Sequence, residues 1–124
     1  MAHILVVDDD EILQDLISFA LEMADHTVSL AGDGEQALAR LDQETPDLMI
    51  VDLHMPVMDG VRFLTEANGR LQSVPPSLVL SASSTDDVRE RLLALGAVEL
   101  VRKPVDTATL TERVAQALAT TTRD

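Results

Sequence analysis

Between Pro46 and Asp52 the chain runs Leu48-Met49-Ile50-Val51, four apolar residues without a polar interruption, and then stops on a single carboxylate. A strand with one wet face alternates apolar and polar residues, so a run without alternation belongs to a strand covered on both faces. Strands of that kind occur in parallel sheets packed between helices, where ligands bind just beyond the carboxyl ends of the strands. Asp52 therefore stands where a buried strand meets water. Asp is also a common turn former through bonds to its own backbone, so this segment alone leaves both roles open.

Three further runs end in the same manner. Ile4-Leu5-Val6-Val7 leads into Asp8-Asp9-Asp10, Ser77-Leu78-Val79-Leu80 into Ser81-Ala82, and Glu99-Leu100-Val101-Arg102 into Lys103-Pro104. Consecutive carboxylates raise one another's pKa unless a cation offsets them. Asp10 and Glu11 open a helical pattern, where acidic groups cap free amides and complement the helix dipole. That role accounts for Asp10 and leaves Asp8 and Asp9 available to a metal. Lys103 is the only lysine in the sequence. Its compact ammonium suits an anion held among carboxylates, although a snorkelling side chain at a strand edge is the plainer alternative. Ser81 taken alone says little, because hydroxyls commonly bond to nearby backbone.

Periodicity supplies the intervening elements. Ile12, Leu13, Leu16, Ile17, Ala20 and Leu21 recur at helical spacing and predict a first helix to about Met23. Thr27 to Ala31 reads as a strand, Gly34 to Leu41 as a short helix, Asp47 to Asp52 as a strand and Val61 to Asn68 as a third helix. Pro75-Pro76 marks a turn before the strand Ser77 to Ser81. Thr85 to Leu95 suits a fourth helix with Val88, Leu92 and Leu95 inward, stopped by Gly96. The strand Glu99 to Arg102 precedes a last helix bearing Leu110, Val114, Ala117 and Leu118 on one face. Repeated βα alternation implies an α/β fold with a parallel sheet, right-handed crossovers and helices on both faces.

At 124 residues the chain accommodates one domain of ordinary size. Residues 1–119 are expected to form it, with 120–124 a polar tail or the start of a linker. A formal charge of −13 and the lack of Trp and Tyr argue against direct nucleic-acid binding, which relies on cationic side chains at phosphates. No cysteine is present, which excludes disulfides, zinc-thiolate sites and thiol catalysis. With no apolar run of membrane-spanning length and no secretory signal pattern, a soluble and cytoplasmic protein is expected.

The joint pattern resembles the receiver domain of two-component response regulators, as in chemotaxis regulators, from Ile4 to about Leu118. The matching residues are the acidic pair Asp8-Asp9, Asp52 within Asp-Leu-x-Met-Pro-x-Met-Asp-Gly, Ser81-Ala82 and Lys103-Pro104. The resemblance implies a flavodoxin-like, doubly wound, five-stranded parallel sheet of order 2-1-3-4-5 with five helices. It implies Asp52 as phosphoacceptor, served by Lys103 and Ser81, and Mg2+ held by Asp8, Asp9, Asp52 and the backbone carbonyl of His54. The His54 ring is expected to be solvated or to pack, since oxygen-rich magnesium sites do not need imidazole. The implied donor is a phosphohistidine on a sensor histidine kinase or phosphotransfer protein. The implied receiver of the signal is a downstream protein target or a missing output domain, reached through the fourth helix, fifth strand and fifth helix. Such a switch supports its own phosphorylation and dephosphorylation without a separate turnover substrate. The resemblance also implies a cis Lys103-Pro104 bond.

One departure stands out. Leu100 occupies a position where receivers usually carry Tyr or Phe, so switching is expected to rely on the loop after Ser81 and the helix from about Thr85. Rival classes fit less well. An aspartyl-phosphate hydrolase usually places a second Asp where this chain has His54. A flavodoxin-like electron carrier needs a hydroxyl-rich phosphate loop where this chain has Asp8-Asp9-Asp10, whose charge repels phosphate. A degenerate receiver acting only as an interaction module stays open as an alternative, since motifs do not measure activity, although the presence of every acceptor-site residue counts against it.

Overall fold

The computed structural model describes residues 2–82 and 85–121. In chain order the elements are β1 (His3–Val7), α1 (Glu11–Met23), β2 (Thr27–Ala31), α2 (Gly34–Gln43), β3 (Leu48–Asp52), α3 (Gly60–Arg70), β4 (Ser77–Ser81), α4 (Asp86–Ala94), β5 (Ala97–Arg102) and α5 (Thr107–Thr121). The strands form one parallel sheet of order β2-β1-β3-β4-β5, as expected. Strands β2 and β4 begin and end where periodicity placed them. Helices α2 and α3 each run two residues further than expected at their C-termini, and α5 continues through Thr121. Residues 122–124 of the expected tail lie outside the described residues.

The side-chain alternation of the strands divides the interior into two layers. Leu5, Val7, Met49, Val51 and Val79 face α2, α3 and α4, where they meet Leu38, Phe63, Leu64 and Leu92. Ile4, Val6, Leu48, Ile50, Leu78 and Leu80 face the other way, against Ile17 and Leu21 of α1 and Leu110 and Val114 of α5. Central strands β3 and β4 are buried throughout, whereas β2 and β5 are only partly covered. That difference explains the unbroken apolar runs of the centre. Burial of a Leu, Ile or Phe side chain is worth about 1.5–3 kcal/mol, so these two layers dominate the stability.

Side-chain caps fix the start of each helix. Asp10 accepts from the Ile12 and Leu13 amides at α1, Asp33 from Gln36 at α2, Asp59 from Arg62 at α3, Thr85 from Val88 at α4 and Asp106 from Ala108 at α5. All five caps lie on the edge of the sheet where the strands end. The first helix departs from expectation in its facing. Ile17 and Leu21 are buried and Leu13 and Ala20 partly so, but Ile12 and Leu16 project into solvent. No helix among the described residues is long and apolar enough to cross a membrane.

Candidate functional site

Because the strands are parallel, their last residues converge. Asp52 is the final residue of β3 and Ser81 of β4, while Asp8 follows β1 and Lys103 follows β5 by one position. Asp8 and Asp52 are 0% and 3% exposed, Ser81 is buried, and Asp9 is open to solvent. Carboxylate oxygens of Asp8, Asp9 and Asp52 all lie within 4.8 Å of one another. The Lys103 Nζ stands 3.2 Å from Asp52 Oδ1, which also accepts from the His54 amide at 3.3 Å. The Lys103 N–H donates to the Ser81 carbonyl at 2.9 Å, tying the turn after β5 to the end of β4. The Lys103-Pro104 peptide is cis. The His54 ring is exposed, as expected of a solvated side chain.

This cluster is electrostatically incomplete. Burial pushes the Asp8 carboxyl up to about 6, and the nearby charges of Asp52 and Asp9 add to the effect. A hydrogen bond from the Asp10 amide and the charge of Lys103 oppose it without cancelling it. Asp8 Oδ1 accepts that Asp10 bond at 2.9 Å, while Asp8 Oδ2 is buried without a partner. A buried, unpaired carboxylate oxygen costs about 1–3 kcal/mol or more, and a cation removes that cost. The donor set is entirely oxygen, which fits a hard divalent ion.

The segment after Asp52 has a structural account for most of its residues. Met58 is buried against Gly34, Asp59 caps α3, and Gly60 donates its N–H to the Leu53 carbonyl at 2.8 Å. A Cβ on Gly60 would lie 2.8 Å from the carbonyl oxygen of Asp52, so any other residue displaces the end of β3. Val57 sits at φ 70 in the turn closed by the Met58 amide on the Pro56 carbonyl. A β-branched residue in that region is strained by about 1–3 kcal/mol, and such strain gathers at functional loops.

One polar residue of the site went unnoticed in the sequence. Gln14 is buried on the core-facing side of α1, and its Nε2 donates to the carbonyls of Asp8 at 2.5 Å and Ala31 at 3.0 Å. The available signal was a glutamine one turn before Ile17, on a face otherwise apolar.

A two-sided parallel sheet with an acidic cluster at its switch point, joined by a lysine from the last strand, defines the receiver class of α/β domain. Comparison with known proteins agrees. The profile of the response regulator receiver domain matches residues 4–115, and the chain belongs to that family. It is 36% identical to an uncharacterized 14.6 kDa protein of Leptolyngbya boryana, covering 91% of this chain and 87% of that one. It is 33% identical to the alkaline phosphatase synthesis transcriptional regulatory protein PhoP of Bacillus subtilis over 90% of this chain, but spans only 46% of that regulator. The chemotaxis protein CheY4 of Vibrio cholerae superposes with a TM-score of 0.85 at 30% identity, covering 94% of this chain and 98% of that one.

Proposed function

We propose that this receiver domain accepts a phosphoryl group on Asp52 from a phosphohistidine of a sensor histidine kinase or phosphotransfer protein, in a Mg2+-dependent reaction. The observation that carries this reading is the buried Asp52 carboxylate with Lys103 Nζ at 3.2 Å and the carboxylates of Asp8 and Asp9 within 4.8 Å. Asp9 and Asp52 would hold the ion, with Asp8 joining directly or through water and the His54 carbonyl as a further ligand. When bound, Mg2+ supplies positive charge against the phosphoryl oxygens.

An Asp52 oxygen forms the new bond to phosphorus as the bond to the donor imidazole nitrogen breaks, and that nitrogen keeps the electron pair. Lys103 already faces Asp52 and needs little movement to meet the equatorial oxygens, whose charge it balances. The Ser81 hydroxyl, at the end of the adjacent strand, donates to one of them. Water later takes the phosphoryl group from Asp52, so the domain resets without a separate substrate. The acyl phosphate brings close to two negative charges to this edge and shifts the balance between two states of the domain. Its output is a changed surface on α4, β5 and α5, read by a downstream protein or by an output domain.

Intact mass after incubation with acetyl phosphate tests the reading. The wild-type chain gains one phosphoryl group with Mg2+ and none with a chelator, and Asp52→Asn gains none. Equal labelling of Asp52→Asn would refute Asp52 as acceptor.

A further inference from the structure

The acidic site leans on a side chain that no step of the proposed chemistry uses. Gln14 shares the core-facing stripe of α1 with Ile17 and Leu21 and is 9% exposed, where an apolar residue ordinarily packs. Both bonds of its Nε2 go to the edge of the sheet. Nε2 donates to the Asp8 carbonyl at 2.5 Å and to the Ala31 carbonyl at 3.0 Å. The same Ala31 carbonyl accepts from the Asp8 N–H at 3.0 Å. The β1–β2 register ends at Val7 and Ala31, so Gln14 acts as a crosspiece from the first residue beyond β1 to the last residue of β2.

Asp8 is consequently held at three points. Its N–H bonds Ala31, its carbonyl bonds Gln14, and its Oδ1 accepts from the Asp10 amide. Only Oδ2 lacks a partner, and it is buried beside the other carboxylates. Like charges this close repel, and a peptide free to turn would carry the carboxylate toward water. A neutral carboxamide restrains that peptide with two N–H donors and adds no charge to compete with a cation. An apolar residue at position 14 would leave the Asp8 carbonyl without its bond.

We infer that Gln14 is a positioning residue: by pinning the Asp8 peptide to the end of β2 it fixes the Asp8 carboxylate toward Asp9 and Asp52 and sets the affinity for Mg2+. The inference rests on the metal-dependent function proposed for the site. Groups that orient metal ligands typically change metal affinity about 10–100-fold when removed.

The test is a double-mutant cycle on Mg2+ affinity, read by NMR titration of the Asp8 to Asp10 amides, with thermal midpoints measured in parallel. Gln14→Met keeps length and removes both donors. It should bind Mg2+ about tenfold more weakly, while causing no further loss in an Asp8→Asn background. A lowered midpoint with unchanged Mg2+ affinity would make Gln14 purely structural and overturn the inference. So would a loss of equal size in the Asp8→Asn background. Gln14→Asn, which keeps the amide but falls short of both carbonyls, carries the same comparison if Gln14→Met fails to fold. Absence of any Mg2+ response in the wild-type amides would instead refute the metal site itself.

Discussion

Asp8 carries a charge that its surroundings disfavour, and this makes stability depend on pH in a definite direction. Its carboxyl titrates near 3.8 in the unfolded chain and about 6 in the folded one. Between those values the native state holds a proton that the unfolded state has released. The stabilising contribution of this group is therefore complete below about pH 3.8 and is lost as pH rises through about 6. Above that range the ionised group weakens the fold by up to about 3 kcal/mol. Asp8→Asn keeps the bond from Asp10 and removes the charge. At pH 8 without Mg2+ it should raise stability by about 1–3 kcal/mol in urea unfolding, with the gain shrinking toward pH 4. Mg2+ should raise the wild-type midpoint at pH 8 and move the variant less. Identical midpoints for the two proteins at pH 8 would mean that the acidic cluster is already neutralised within the protein.

At the scale of elements, α1 is apolar on two sides. Gln14, Ile17 and Leu21 face the sheet, while Ile12, Leu16, Phe19 and Met23 are 74%, 54%, 66% and 71% exposed. The exposed residues follow helical spacing and form one stripe, flanked by exposed Asp15 and Glu22. The stripe begins two residues after Asp10, so a helix laid along it reaches the acidic edge. With the phosphohistidine donor proposed above, Leu16→Glu should slow phosphotransfer at least about tenfold, the equivalent of about 1.4 kcal/mol. Labelling by acetyl phosphate should be unchanged, and stability should shift by no more than about 0.5 kcal/mol. Equal losses with both donors would place the effect in the fold and not in docking. Helix α4 differs in another way, since Leu92 is its only fully buried residue and Val88 is partly covered. Elements with few buried contacts open most readily. Beryllofluoride with Mg2+ should shift the amides from Ser81 to Val88 strongly and the Leu100 methyls little, because Leu100 packs against the core and has no ring to swing. A large Leu100 shift with a changed rotamer would transfer the switch to β5. Ser83 and Ser84, also expected to move, lie outside the described residues.

For the whole molecule, 22 acidic side chains against nine Lys and Arg make self-repulsion a standing cost of the folded state. Raising KCl from about 0.01 M to about 0.5 M shortens the screening length severalfold and should raise the melting midpoint by several degrees. A falling midpoint would show that the ion pairs on the surface outweigh that repulsion. The order of elements was readable from the chain because burial on both faces leaves unbroken apolar runs, and helices leave a 3.6-residue repeat. Asp8, Asp52 and Ser81 were readable as candidates for the same reason, each closing such a run, whereas Lys103 was readable as the only lysine, placed at a strand end before proline. Helices α2 and α3 outran their expected ends because the extra residues, Asp42 and Gln43 or Gly69 and Arg70, lie on the solvent side and break no repeat. Periodicity also grouped Ile12 and Leu16 with Ile17 and Leu21, since a repeat shows that a face exists without showing which face meets the sheet. That choice depends on how α1 crosses β1 and β2. The crosspiece from Gln14 to Ala31 and the close approach of Gly60 to Asp52 are likewise tertiary facts, because each joins groups that only the sheet topology brings together.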